Sequence, residues 1–211
     1  MPDSLFNDSA SISAAEQAAE QELLERLRAN DAGAFESMIR LHGGRMLAVA
    51  RRLLNNEDDA RDAVQEALVS AFRSIGGFAG ASRLSTWLHR IAVNSSLMKL
   101  RTRRRQGEVS IESLLPAYQD DGHRSAPVAE WTQTAEDVAR SRETRAIVRD
   151  CISKLPENYR IVLMLRDIEE LSTREAAEML GIEESALKVR LHRARLALRT
   201  LLDERFRGNE A

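Results

Sequence analysis

Apolar residues recur along this 211-residue chain at steps of three and four, the spacing that puts side chains on one face of an α-helix. Leu23, Leu24 and Leu27 form one such stripe. After an Asn30-Asp31 break come Phe35, Met38 and Ile39, then Met46, Val49, Ala50, Leu53 and Leu54, with Gly43-Gly44 predicting a bend between the last two groups. The clearest stripe is Ala60, Ala63, Val64, Ala67, Leu68, Ala71, Phe72 and Ile75, about four turns of a core-facing helix. Asn55, Asn56 or Asp58 is placed to cap its start, and Gly76-Gly77 offers left-handed backbone at its end. Beyond a short loop, Phe78 to Ser85, another helix carries Trp87, Leu88, Ile91, Ala92 and Ser95 on one side and Arg90, Asn94 and Arg101 on the other.

The pattern lapses from Gln106 to about Arg140, where Pro116, Pro127, Gly122 and Asp120-Asp121 accumulate and only the apolar island Ile111 to Leu115 interrupts a polar run. It resumes near Ser141 with Ile147, Cys151, Ile152 and Leu155, and Pro156 is suited to open the next helix. The expected architecture is therefore all-α: a mobile tail over 1–20, a helical domain over 21–105, a flexible linker over 106–140 and a second helical domain over 141–205. Composition agrees, since aromatics make up 4% and Ala, Leu, Arg and Glu, good helix formers, recur throughout.

Within the second domain, Thr173 to Leu180 reads as a short helix, Gly181-Ile182 as a turn, and Glu183 onward as a longer helix. Ser172 or Thr173 with Glu175 gives an N-terminal capping signal, and Ala177 is small enough for two helices to cross closely. Leu187, Leu191, Ala194, Leu198 and Leu201 form the buried stripe of the longer helix, leaving Lys188, Arg190, His192, Arg193 and Arg195 on its other face. A cationic helix after a glycine turn fits a DNA major groove; a solvated basic face is the plainer alternative.

The net charge of −2 hides an uneven distribution. Ser82 to Arg105 holds seven Lys/Arg and no acid, and Ser185 to Leu202 holds five and no acid. Glu57, Asp58, Asp59, Asp62 and Glu66, by contrast, face only Arg61 in their stretch. Two basic segments and an acidic one predict different partners. Cys151 is the single cysteine, expected as a small core residue, so no internal disulfide forms. The four histidines lack ligand-like spacing with it, and no metal or cofactor is expected. No apolar run approaches the roughly 20 residues of a membrane span, and the N-terminus lacks a basic start before an apolar stretch, so a cytoplasmic location is expected. No glycine-rich phosphate loop or nucleophile elbow suggests an enzyme.

Two stretches resemble a known family. "SKLPENYRIVLMLRDIEELSTREAAEMLGIEESALKVRLHRARLALRTLL" is similar to the C-terminal domain (sigma region 4) of bacterial extracytoplasmic-function sigma factors, and "NNEDDARDAVQEALVSAFRSIGGFAGASRLSTWLHRIAVNSSLMKLRTRRR" to their other domain (sigma region 2). The resemblance runs from about Leu23 to Leu202 in the family's order. It implies a non-enzymatic subunit that binds core RNA polymerase, recognises promoter DNA at −35 and −10 elements and helps open it. It also implies regulation by an anti-sigma factor.

Carried onto this chain, the resemblance gives Asp62, Gln65 and Glu66 the polymerase contact. Phe78, Ser85, Trp87, Arg90, Asn94 and Lys99 fall to the −10 element, the loop Phe78 to Ser85 matching the segment that captures an unstacked base. Lys188, Val189, Arg190, His192, Arg193 and Arg195 fall to the −35 element. Val189 departs from the small hydroxyl residue the family often has there, so apolar contact such as a thymine methyl is its available chemistry. Trp87, on an apolar stripe, reads equally as core. A stand-alone helix-turn-helix regulator is the alternative function; it leaves the acidic and first basic segments without a role.

Overall fold

The computed structural model describes residues 14–103, 110–115 and 142–207; the first 13 residues of the expected tail 1–20 and the residues of the expected linker at 106–109 and 116–140 lie outside them, while residues 14–20 of that tail are helical, a correction to its expected extent. Among the described residues there are helices and turns but no strand, so the all-α expectation holds. The chain divides into two compact units between Arg101 and Thr102.

In the first unit, α1 (Ala14–Arg28) leads through a sharp turn to α2 (Ala32–Leu54). Asp31 makes that turn definite: its carboxylate accepts from Gly33 N at 2.8 Å and Ala34 N at 3.4 Å, capping α2, and takes Arg26 Nε at 2.8 Å. Two adjacent asparagines then do opposite jobs. Asn55 ends α2 in the left-handed region at φ 52°, whereas Asn56 is extended and its side chain accepts from Asp59 N at 2.9 Å to start α3 (Glu57–Ser74). The acids Glu57, Asp58 and Asp59 occupy the first turn of α3, where the helix dipole favours them.

Ala60, Ala63, Ala67 and Ala71 are wholly buried along α3, and their small side chains let it lie close against α2. Leu24, Leu27, Met38, Met46, Ile75, Leu84 and Leu88 complete this core. Three local expectations are corrected. α2 runs straight through Gly43-Gly44, because Met46, Val49, Ala50 and Leu53 bury more surface beyond it than two helical glycines cost, about 1 kcal/mol each. Phe72 is 51% exposed, lying over Phe35 with ring centroids 4.6 Å apart, and Ile39 is 45% exposed. Gly76-Gly77 form a 3-10 turn with Ile75, and the left-handed position is Gly80, at φ 73° in the following loop. That loop leads into α4 (Leu84–Arg103), which buries Leu84, Leu88, Ala92, Val93, Leu97 and Leu100.

The second unit comprises α5 (Arg142–Lys154), α6 (Glu157–Leu163) continuing into a π-helical turn over Met164–Ile168, α7 (Thr173–Leu180) and α8 (Glu184–Arg207). The turn closes with Glu169 N on Met164 O at 2.9 Å. Cys151 is buried, as expected, and burial pushes its thiol pKa up. The apolar island of the linker is packed here: Ile111 is fully buried in a cluster with Leu155, Leu163, Ala194 and Ala197, flanked by Leu114 and Leu115.

Candidate partner and nucleic-acid interfaces

The alanine face of α3 is turned inward, so its other face is fixed by the helical period. Asp62, Gln65 and Glu66 are all exposed there, and Val69 and Phe72, 49% and 51% exposed, continue the same face one and two turns on. The acidic triad thus ends in an apolar shelf. Val69 and Phe72 were not singled out from sequence because their apolar character assigned Phe72 to the core stripe. Counting every third and fourth position from Asp62 would have found them.

The basic helix α4 offers Thr86, Arg90, Asn94, Met98 and Arg101 as an exposed stripe at steps of three and four. Arg90 and Asn94 are on it as expected; Thr86 and Met98, the latter 61% exposed, are additions that the same period contains. Lys99 stands apart. It is half-buried, and its Nζ donates to Asp62 Oδ2 at 2.9 Å, which pushes its pKa above the ordinary lysine value. The structure therefore joins one expected −10 residue to one expected polymerase residue across 37 positions of sequence. Arg104, Arg105 and the side chain of Arg103 lie outside the described residues.

Between α3 and α4, Ala79, Gly80, Ala81 and Arg83 are exposed and Ser82 and Ser85 half-buried. The two aromatic residues bordering this loop turn inward: Phe78 is 8% exposed and its ring lies 4.9 Å from that of Trp87, which is half-buried against the core. Both ends of the loop are tied to α1. Arg28 Nη2 donates to Phe78 O at 2.7 Å, and Leu84 N donates to Glu20 Oε1 at 2.6 Å.

In the second unit the helix-turn-helix is built as its sequence demands. Ser172 Oγ accepts from Glu175 N at 3.2 Å while Glu175 Oε2 accepts from Ser172 N at 2.9 Å, a reciprocal capping box at the start of α7. Gly181 ends α7 at φ 67°, a left-handed geometry that a glycine adopts without strain. Leu187, Leu191, Ala194 and Ala197 bury one side of α8. On its outer side Ser185, Lys188, Val189, His192, Arg195 and Arg199 are exposed and fall within about one third of the circumference at 3.6 residues per turn. Val189 is 60% exposed, an apolar surface set between Lys188 and His192. Ser185, in the first turn, shares this face; it lacked a charge to draw attention in the sequence.

Two of the arginines on this helix have protein partners. Arg193, half-buried, lies 3.4 Å from Glu112 of the packed island. Arg195 grips Asp167 of the π-helical turn with two bonds, Nε to Oδ2 at 2.9 Å and Nη2 to Oδ1 at 2.6 Å, which raise its pKa further. Arg190 is half-buried. Among the described residues no group of three or more His, Cys, Asp or Glu is placed to hold a metal, and no helix is long and apolar enough to cross a membrane.

Comparison with known proteins agrees with both halves of this geometry. Residues 38–106 match the family described as Sigma-70 region 2 and residues 145–198 that described as Sigma-70, region 4. The chain is 31% identical over 179 residues to the ECF RNA polymerase sigma factor SigW of Bacillus subtilis (strain 168), covering 85% of this chain and 94% of that protein. It is 31% identical over 183 residues to the ECF RNA polymerase sigma-E factor of Escherichia coli (strain K12), covering 87% and 94%. A solved structure of CnrH in complex with the cytosolic domain of CnrY is similar at a TM-score of 0.51 and 25% identity, covering 88% of this chain and 98% of that one. The sigma factor RpoE of Bartonella quintana, solved with the anti-sigma factor NepR, shares the fold at a TM-score of 0.50 and 24% identity, covering 80% and 96%.

Proposed function

The chain belongs to the extracytoplasmic-function RNA polymerase sigma factors of the sigma-70 family, and from that premise we propose how its surfaces divide the work of initiation. As such a factor it binds core RNA polymerase, recognises −35 and −10 promoter elements and promotes DNA opening. The observation that carries the division is that one unit bears an acidic face and a basic stripe on different helices, while the other bears a single basic reading helix.

Asp62, Gln65 and Glu66 on α3 meet the polymerase, since two carboxylates and an amide suit an arginine-rich partner surface and bidentate pairing fixes orientation. The exposed loop between Phe78 and Ser85 takes the unstacked −10 base. Arg90 and Asn94 follow the separating strand, and Phe78 and Trp87 support the loop from beneath. Lys99, held by Asp62, ties the strand-capturing helix to the polymerase-binding face.

At the −35 element Lys188 and His192 enter the major groove with Val189 supplying apolar contact, Arg190 and Arg193 flank the backbone, and Arg195 borders the site from its pair with Asp167. A cytoplasmic location, no catalysed reaction and control by an anti-sigma partner complete the reading. The solved relatives in complex with CnrY and with an anti-sigma factor support the last point. The stand-alone regulator is not favoured, because the region 2 match gives the first unit a role that it leaves empty.

The test is run-off transcription from a genomic fragment library by purified core polymerase with and without this chain. New start sites appear only with it; an identical set of transcripts in its absence refutes the reading. Glu66→Lys is expected to abolish the new starts by repelling the polymerase surface.

A further inference from the structure

We propose that α1 is the positioning element of the −10 loop, with Glu20 and Arg28 holding its two ends. The proposal rests on the reading of that loop as the base-capturing segment.

Glu20, Leu24, Leu27 and Arg28 are spaced i, i+4, i+7 and i+8 and share one face of α1. Its centre is apolar: Leu24 is 6% exposed and Leu27 fully buried, in the same cluster as Ile75, Phe78, Leu84 and Leu88, the residues from which the loop departs and to which it returns. Its ends are polar. Arg28 Nη2 donates to Phe78 O at 2.7 Å where the loop begins, and Glu20 Oε1 accepts from Leu84 N at 2.6 Å where it ends. The two pegs stand eight residues apart, about 12 Å along the helix axis.

Each peg answers a local need. The first helical bond of α4 runs from Trp87 N to Arg83 O, so Arg83 occupies the N-cap, yet its side chain has no acceptor to offer. The orphan N–H of Leu84 takes its acceptor from Glu20, 64 residues away, and the carboxylate also suits the positive end of α4. At the other end, the Phe78 carbonyl follows the 3-10 turn and is met by a guanidinium. Between the pegs lie exposed Ala79, Gly80, Ala81 and Arg83, with Gly80 at φ 73°. A loop of small residues has little packing of its own to hold a shape, so a capture-ready shape must come from what grips its ends. Without the grip, ordering the loop falls on the binding step.

The experiment uses holoenzyme reconstituted from core polymerase and the full chain. Single-stranded decamers selected from a random pool by the wild-type holoenzyme serve as the probe, and discrimination is the affinity ratio between the selected strand and strands changed at each position. Glu20→Ala and Arg28→Ala are expected to weaken the selected strand about five-fold and lower discrimination at one position by the same factor, with core polymerase affinity unchanged. Glu20→Gln, whose amide oxygen still accepts from Leu84 N, is expected to restore most of the loss, which a requirement for charge would not allow.

Gly80→Val, strained at its left-handed backbone, disturbs the loop directly and is expected to lose discrimination as well. Loss in Gly80→Val with none in Glu20→Ala and Arg28→Ala overturns the positioning role and leaves the loop reading standing. Undiminished discrimination in Gly80→Val overturns both.

Discussion

Lys188 and Arg195 are both exposed cations on the reading face of α8, yet they are expected to differ in what they give to DNA. Lys188→Ala removes a charge that the proposed function sends into the groove; Arg195→Ala removes one already gripped by Asp167 at 2.6 and 2.9 Å. Each phosphate neutralised contributes a slope of about −0.9 to log K against log salt. Between 50 and 200 mM salt, one contact is thus worth a factor of about 3.5 in how far binding falls. Exchanging Asp167 for a phosphate trades one charge-assisted pair for another, so little drives Arg195 to move. Lys188→Ala is expected to reduce the slope by about 0.9 and Arg195→Ala by less than a third of that.

Asp167→Asn frees the guanidinium and is expected to steepen the slope by up to about 0.9 and raise affinity at low salt, a gain that disappears in the Asp167→Asn, Arg195→Ala double variant. The assay is fluorescence anisotropy of holoenzyme on a duplex carrying the −35 sequence that the wild type selects from random DNA, titrated over salt. A slope lost equally in Lys188→Ala and Arg195→Ala, or an Asp167→Asn variant that binds like wild type, refutes the reasoning.

Three further outcomes are expected. Ser172→Ala removes half of the capping box at α7 and costs about 1 kcal/mol, seen as a fall of roughly 4–8 °C in the melting temperature of the second unit. Leu187→Ala empties a fully buried position under the reading face and costs about 2–5 kcal/mol, enough to melt a small unit; thermal unfolding and duplex binding should fail together. Burial, with help from Arg45 and against Glu20, holds the His42 imidazole below its ordinary value of 6.5. A depressed folded pKa gives stability that is fully present above 6.5 and lost as pH falls through the folded value, so His42→Gln is expected to flatten the stability profile measured by denaturant unfolding from about pH 7 to 5.

What sequence made legible here is what lies within a few residues. Stripes such as Leu187, Leu191 and Ala194, and caps such as Asn56 and the Ser172–Glu175 pair, follow from period and local hydrogen bonding, and they were found where expected. Gly43-Gly44 misled because local propensity there is overridden by the core that α2 builds on either side. Phe72 misled because the apolar pattern does not show whether a ring faces the core or lies over a neighbour, as it does on Phe35. The partners of charged residues were the least legible. Lys99 finds Asp62 across 37 positions, Arg195 finds Asp167 across 28, and Glu20 finds Leu84 across 64. No spacing rule reaches so far, and the first two pairings engage cations that the sequence assigned to DNA.

The buried Ile111 extends the core of the second unit to a stretch N-terminal to all of its helices. That core is assembled from α5, α6 and α8 together with a stretch that precedes residues 116–141 in the chain, outside the 145–198 span of the region 4 match. A fragment begun at Arg142 would carry every helix of the helix-turn-helix and still leave an apolar slot open among Leu155, Leu163, Ala194 and Ala197. A faithful excision of the DNA-reading half starts before Ser110, and a family boundary drawn from helices alone would cut away part of its hydrophobic core.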